Sequence, residues 1–180
     1  DIDPELLKKG FGDAIADRTP ALEGDEIKNI LTALQEQVQQ QQKVFIEQIA
    51  QKNKEESEAF LNENKTKEGV VALPSGLQYK VVQAGTGAVP TATDTVVTHY
   101  TGTLISGQVF DSSVQRGQPA TFPVNGVIAG WTEALQLMPT GSKWKLYIPE
   151  NLAYGATPHP GGPIKPYMAL IFDVELISVN

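Results

Sequence analysis

Hydrophobic and polar positions follow two different periods along this chain, and the change lies near Gly69. Ahead of it, the stretch 25–64 contains no proline or glycine, and its apolar residues recur at intervals of three and four: Ile27, Ile30, Leu31, Leu34, Val38, Val44, Phe45 and Ile49. This spacing places them on one stripe of an α-helix. A helix of about 40 residues would be roughly 60 Å long, so we expect much of it to stand in water.

A shorter amphipathic helix is predicted ahead of the long one. Pro4 suits the first turn of a helix, and Leu7, Phe11 and Ile15 follow four residues apart. We therefore predict a helical arm over residues 1–68, made of a short helix at 4–17 and a long helix at 25–64. The glutamine-rich middle of the long helix, QEQVQQQQK, is typical of a solvated helix.

Period two replaces this pattern after Gly69. The segment TKEGVVALPSG carries the glycines and the proline that end a helix, so we predict a linker at 69–75. Alternating apolar residues then predict strands with one covered face: Leu77, Tyr79 and Val81, then Trp144, Leu146 and Ile148, and finally Leu170, Phe172, Val174 and Leu176. One helical segment, GWTEALQLM, interrupts them. The predicted fold class is α+β, with a helical domain followed, over 76–180, by an antiparallel sheet that wraps a short helix.

Composition excludes several classes of function. Fourteen basic and twenty-one acidic residues give a net charge of −7, which opposes binding to nucleic-acid phosphates. The 180 residues include no cysteine and two histidines, so we predict no metal site and no cofactor. No apolar run approaches the ~18 residues of a membrane-spanning helix. The chain begins DIDPELLKK, without an apolar signal region, and we expect it to be the mature or trimmed product of a longer protein.

Four segments of the second half carry a family resemblance. In order, they are VTHYTGTLISGQVFDSS, VNGVIAGWTEAL, GSKWKLYIPENLAYG and LIFDVELISV. Together they closely resemble the FKBP family of peptidyl-prolyl cis/trans isomerases over about residues 76–180. The long helix ahead of them resembles the Mip-like (macrophage infectivity potentiator) branch, which joins a helical domain to the isomerase.

This resemblance implies a pocket for proline-containing polypeptides. Taken singly, the aromatic residues would read as ordinary core, but the family assigns the catalytic pocket to Tyr100, Phe110, Asp111, Val127, Ile128, Trp131, Tyr154 and Phe172. Substrate or inhibitor contacts are implied for Phe122, Arg116, His159 and Ile164. The backbone N–H of Ile128 and the hydroxyl of Tyr154 would each bind a ligand carbonyl. Ala120 stands where small single-domain members carry phenylalanine, so one wall is expected to be lower.

The reaction that this pocket would catalyse needs no reactive group. Rotation about a peptide bond breaks no covalent bond, and it is opposed by amide resonance with a barrier of about 18–20 kcal/mol. Asp111 could in principle be a general acid or base, but amide rotation moves no proton. We favour a structural role in which Tyr100 and Arg116 satisfy its charge.

Two functions and several partners follow as expectations. The first is an isomerase acting on X-Pro bonds of folding or exported polypeptides, blocked by macrolides such as tacrolimus and rapamycin, with chaperone activity through the arm. The alternative is a polypeptide-binding chaperone module with little catalysis. Mip-like proteins pair through a segment ahead of these helices, so we expect a homodimeric full-length protein and a monomer or weak dimer for this chain. The family favours the periplasm or outer membrane of a Gram-negative bacterium, with the cytoplasm as the alternative.

Overall fold

The computed structural model describes residues 4–16 and 24–180, which belong to two compact units, Asp1–Ile46 and Glu47–Asn180. Helix α1 spans Pro4–Ile15 and helix α2 spans Gly24–Asn64. Residue 17, the predicted end of the short helix, lies outside the described residues. Both helices carry exposed apolar side chains within the first unit, among them Phe11, 71% exposed, and Phe45, 63% exposed.

Seven strands of the described chain form one antiparallel sheet that follows the helices. They are β1 (Val70–Ala72), β2 (Gln78–Gln83), β3 (Thr95–Leu104), β4 (Val109–Ser112), β5 (Ala120–Pro123), β6 (Lys143–Ile148) and β7 (Leu170–Val179). The strand order is β1-β2-β6-β7-β3-β4, and β5 pairs with the first half of β3. Short 3-10 turns at Val124–Gly126 and Glu150–Leu152 connect the strands to their neighbours.

The short helix α3 (Ala129–Leu135) lies against the inner face of this sheet. Trp131 and Leu135 point from it into the core, where they meet Leu146, Ile148 and other buried side chains. Close approach requires Gly130, because a Cβ at that position would lie 2.5 Å from Cγ2 of Ile148. The predicted α+β fold, with a sheet wrapping a short helix, is confirmed.

The last turns of α2 cover part of the opposite face of the sheet. The ring of Phe60 lies 6.0 Å from that of Tyr147, and Nδ2 of Asn64 donates to Oε1 of Gln78 at 2.9 Å. Because of this cover, Gln78 and Tyr147 are buried although they face away from the core. The prediction placed α2 wholly in the helical arm, whereas residues from Glu47 onwards belong to the compact unit of the sheet.

Two local features differ from the sequence pattern. Residues 69–75, predicted as a linker, include β1, whose Val71 pairs with Tyr79 of β2. Val81, predicted on the covered face, is 42% exposed. Strand β2 lies next to the edge of the sheet. Its pairing with β6 is irregular between Val81 and Gln83, so the alternation of covered and exposed side chains ends at Val81.

Candidate functional site

A cavity of about 430 Å³ opens between the sheet and the start of α3. Strand β3 contributes Tyr100, β4 contributes Phe110 and Asp111, and α3 contributes Trp131. Ten residues line it: Tyr100, Phe110, Asp111, Phe122, Gly126, Val127, Ile128, Trp131, Tyr154 and Phe172. Asp111 is the one charged residue of this lining. The cavity can therefore hold an uncharged, compact apolar group.

Aromatic rings fix the shape of the cavity by packing edge to face. Trp131, 3% exposed, meets Tyr100, Phe122 and Phe172 at ring-centroid distances of 5.3, 5.9 and 5.4 Å and interplanar angles of 90°, 81° and 84°. Phe110 meets Phe172 at 5.4 Å and 87°. This geometry is the one aromatic quadrupoles prefer, so these rings form a rigid wall and floor.

Asp111 is held in a closed hydrogen-bonded group with Tyr100 and Arg116. The hydroxyl of Tyr100 donates to Oδ2 of Asp111 at 2.5 Å, and Nη1 of Arg116 donates to Oδ1. Nη2 of Arg116 also donates to the hydroxyl oxygen of Tyr100 at 2.9 Å, which closes the group. Both oxygens of the carboxylate are therefore engaged.

The electrostatics of this group follow from its contacts. Burial raises the pKa of Tyr100, and the hydrogen bond to Asp111 acts in the same direction. Partial burial alone would raise the pKa of Asp111, but hydrogen bonds from Tyr100 and Arg116 outweigh it and lower that pKa below its ordinary value. At neutral pH the group consists of a carboxylate, a neutral phenol and a guanidinium.

The backbone of Tyr100 is held from behind by Ser113. The fully buried Oγ of Ser113 accepts the Tyr100 N–H at 2.8 Å and contacts Nδ1 of His99 at 3.0 Å. The N–H of Ser113 donates to the Tyr100 carbonyl at 3.0 Å. His99 therefore takes part in a strand contact outside the cavity lining, while Ser113 fixes where the Tyr100 side chain begins.

The two predicted carbonyl-binding residues, Ile128 and Tyr154, are far apart in the sequence but line the same cavity. Ile128 precedes α3 with extended backbone angles (φ −60°, ψ 150°), and its carbonyl accepts from the N–H groups of Trp131 and Thr132 at 2.9 and 3.1 Å. These bonds fix the backbone at Ile128. Tyr154, which follows the second 3-10 turn, is 39% exposed, so its side chain remains accessible to a ligand.

A second cavity of about 140 Å³ adjoins the first and shares Phe110 and Tyr154 with it. The loop between Tyr154 and β7 supplies the rest of its lining: Pro158, His159, Gly162, Pro163 and Ile164. His159 and Ile164, predicted as ligand contacts, therefore lie in the adjoining cavity. Arg116 lines neither cavity and reaches the site through Asp111 and Tyr100.

Some lining residues escaped the sequence analysis. Gly126 lies at the end of a 3-10 turn, Pro158 and Gly162 lie in the long loop, and their side chains carry no chemistry that would single them out. The only sequence signal that could have placed Gly126 in the lining was its position next to Val127, a predicted pocket residue. Ala120 packs against the core and is absent from both linings.

Comparison with known proteins identifies the family. A family model described as FKBP-type peptidyl-prolyl cis-trans isomerase matches residues 87–177, and the domain amino-terminal to such isomerases matches residues 1–81. The outer membrane protein MIP of Legionella longbeachae is 49% identical over 180 residues, which are 100% of this chain and 77% of the relative. The chain belongs to the FKBP-type peptidyl-prolyl cis-trans isomerases.

Other relatives support this assignment to the FKBP-type isomerases. The FKBP-type 22 kDa peptidyl-prolyl cis-trans isomerase of Escherichia coli is 47% identical over 98% of this chain and 83% of its own length. The crystal structure of FkpA from Escherichia coli matches with a TM-score of 0.86 and 41% identity, covering 99% of this chain and 83% of that one. The predicted family and enzyme class are confirmed, and this FKBP-type isomerase acts on proline-containing substrates.

Proposed function

We propose that this enzyme catalyses cis/trans isomerisation of X-Pro bonds in the aromatic cavity without forming any covalent bond to the substrate. The observation that carries the proposal is the cavity of about 430 Å³, whose rings interlock around Trp131 and whose one charged residue is already paired. The planar amide is more dipolar than the twisted transition state, so water favours the planar form. A cavity that excludes water removes this preference while the proline ring is held in place.

The required rate acceleration is within reach of such a site. An X-Pro bond isomerises in about 10–100 s without a catalyst. Reducing about 10 s to about 1 ms requires roughly 10⁴-fold, which corresponds to about 5.4 kcal/mol of transition-state stabilisation. Loss of water contributes part of it, and two neutral donors, the Ile128 N–H and the Tyr154 hydroxyl, contribute the rest by fixing the carbonyls on either side of the proline.

A protease-coupled assay on a proline-containing peptide tests this function. We expect a rate well above that of buffer, with strong loss in Trp131→Ala, which removes the floor. Gln136→Ala is a matched control because Gln136 is an exposed residue at the end of the same helix. A rate equal to that of buffer for the unmodified protein would reject the proposal.

The same cavity is proposed to bind macrolides such as tacrolimus and rapamycin. Neutral donors and aromatic walls suit an uncharged ring compound, and the small side chain at position 120 would leave that side of the site with fewer contacts. Titration of the intrinsic tryptophan fluorescence with tacrolimus measures the affinity, because Trp131, one of the two tryptophans, lines the cavity. A competing prolyl peptide shows whether the ligand occupies the substrate site. Binding that leaves isomerase activity intact would place the macrolide elsewhere.

Chaperone activity through the helical arm is a second proposed function. Its support is the set of apolar side chains that α1 and the first part of α2 leave exposed: Leu7, Phe11, Ile15, Ile30, Leu31, Leu34 and Phe45. We propose that these residues hold unfolded clients or a second copy of the chain. Phe11→Gln with Phe45→Gln should reduce protection of an aggregating client while isomerase activity is retained. Sedimentation velocity then shows whether the same change alters the expected weak dimer.

We propose the periplasm or outer membrane of a Gram-negative bacterium as the location. The support is the printed name of the Legionella longbeachae relative, an outer membrane protein. Within residues 4–16 and 24–180, no helix combines the length and the apolar character needed to cross a bilayer. Fractionation of the source cells, followed by detection with an antibody, distinguishes this location from the cytoplasm.

A further inference from the structure

The loop of residues 153–169, which carries the adjoining cavity, is fastened to α2 by two buried side chains. Nδ2 of Asn53 donates to the Pro166 carbonyl at 2.9 Å. Oγ of Ser57 donates to the Tyr167 carbonyl at 2.9 Å and accepts the Ala169 N–H at 2.8 Å. Asn53 and Ser57 are 7% and 4% exposed, and both residues belong to the compact unit of the sheet.

Tyr167 shows that this attachment imposes a particular loop conformation. Its φ of 60° lies in the left-handed region, which no other non-glycine residue in the described part of the chain adopts. That conformation is unfavourable for a residue that carries a Cβ and persists only when its surroundings hold it. Here the Tyr167 N–H donates to the Gly155 carbonyl at 3.0 Å, while its own carbonyl accepts from Ser57.

The anchored end of the loop is connected to the substrate cavities by two routes. Gly155, which receives the Tyr167 N–H, directly follows Tyr154, a residue of both cavity linings. In the other direction, a segment with prolines at 158, 160, 163 and 166 leads back to the residues of the adjoining cavity. Prolines restrict the backbone, so a displacement at Pro166 is passed back to Pro163 and Ile164 of the adjoining cavity, which lie on the near side of the two glycines at 161 and 162.

We propose that Asn53 and Ser57 are positioning residues of the isomerase, which fix the loop and thereby the shape of the adjoining cavity. This cavity then receives the substrate side chain next to the proline. The inference rests on the proposed function of the main cavity and extends it, since it makes helix α2 a part of substrate selection. Neither residue touches the substrate, because both act through Pro166, Tyr167 and Ala169.

The test is a comparison of two peptides in the Ser57→Ala variant, succinyl-Ala-Leu-Pro-Phe-4-nitroanilide and the matching Ala-Ala-Pro-Phe peptide. Removal of the hydroxyl takes away the partner of the half-buried Tyr167 carbonyl and of the buried Ala169 N–H, so the loop relaxes. For the leucine peptide we expect kcat/KM to fall about tenfold through a higher KM with kcat unchanged, the pattern of a lost interaction that is equally strong in the ground state and the transition state. For the alanine peptide, which fills little of the adjoining cavity, we expect a change of less than about twofold.

Matched variants separate positioning from a general loss of stability. Ser57→Thr keeps the hydroxyl and should restore the ratio of the two kcat/KM values. Asn53→Ala should change the ratio in the same direction but less, because it removes one bond. Asn62→Ala, an exposed position on the same helix, should leave the ratio unchanged. Hydrogen exchange at the amides of Gly155, Tyr167 and Ala169 should accelerate in Ser57→Ala and remain slow in Asn62→Ala.

The outcomes divide as follows. A lower kcat/KM for the leucine peptide, an unchanged alanine peptide and restoration by Ser57→Thr support the proposal. An equal loss for both peptides, or no change in either, overturns it while the proposed function stands. An unmodified protein without isomerase activity rejects the proposed function and this inference with it. If Ser57→Ala does not fold, the ratio in Asn53→Ala decides, and an unchanged ratio there counts against the proposal.

Discussion

Gly102 is the position where the aromatic wall leaves the least room for a side chain. It lies on β3 opposite Asp111 of β4 and Phe172 of β7. A Cβ built there would lie 2.6 and 2.7 Å from Cζ and Cε2 of Phe110 and 2.8 Å from Cε1 of Phe172. Carbon atoms normally approach to about 3.5–4.0 Å. In Gly102→Ala, the two rings must therefore retreat by about 1 Å.

Retreat is difficult because both rings are already packed. Phe172 is 5% exposed and meets Trp131 edge to face at 5.4 Å, while Phe110 meets Phe172 at the same distance. Overpacking of this kind costs about 1–3 kcal/mol of unfolding free energy. A displacement of about 1 Å in a positioning wall can reduce a rate by about 10²-fold. We expect kcat/KM to fall about 10- to 100-fold in Gly102→Ala.

The assay is protease-coupled isomerisation well below the unfolding temperature, with urea unfolding of the same preparation. Gly12→Ala is the matched control, because it makes the same change in α1 where nothing lies within 4 Å of the added atom. Its kcat/KM should be unchanged, and helix α1 should be about 1 kcal/mol more stable, because alanine favours a helix more than glycine does. If Gly102→Ala keeps kcat/KM within about twofold and unfolds at the same urea concentration, the rings of Phe110 and Phe172 have room to move and the packing explanation is wrong.

Three further predictions concern the polar groups of the site. Asp111→Leu should retain measurable isomerase activity while its tacrolimus affinity changes, and complete loss of activity in a folded variant would contradict a structural role. Tyr154→Phe should lower kcat/KM about fivefold, which corresponds to the loss of roughly one neutral hydrogen bond. An unchanged kcat/KM would show that the hydroxyl does not bind the substrate. The lowered pKa of Asp111, for which hydrogen bonds from Tyr100 and Arg116 outweigh partial burial, makes a contribution to stability that is complete above the unfolded value near 3.9. That contribution is lost as pH falls through the folded value, so acid unfolding monitored by circular dichroism should depend less on pH in Asp111→Asn, and identical profiles would refute the pKa argument.

The inner face of the sheet was predictable because burial there obeys the period of the strand. Trp144, Leu146 and Ile148 alternate in the sequence and are all buried in the structure. Gln78 was not predictable as a buried residue, since its burial depends on α2 crossing the outer face. A polar residue on that face reads as solvated until the covering helix is known.

The cavity was predictable only through the family that the four motifs resemble, because no single aromatic residue could indicate it. Phe110 and Trp131 are common core residues when taken alone, and the resemblance implied one pocket for both, which share a lining in the structure. The attachment of Ser57 to Tyr167 had no comparable signal. Its partners are separated by 110 positions, and a serine within a helix has many possible roles. Such contacts depend on tertiary packing, which local pattern does not encode.

The hydrogen-bonded group around Asp111 explains why a charged residue can remain in a site that needs no proton transfer. A general acid would require a raised pKa, whereas the hydrogen bonds of Asp111 lower its pKa, and both of its oxygens already accept bonds. The carboxylate therefore has no proton to give, and a twisting amide has none to lose. What the group does is orient Tyr100, whose ring meets Trp131 at a right angle. We infer that Asp111 and Arg116 contribute to catalysis by holding one ring of the cavity wall in place.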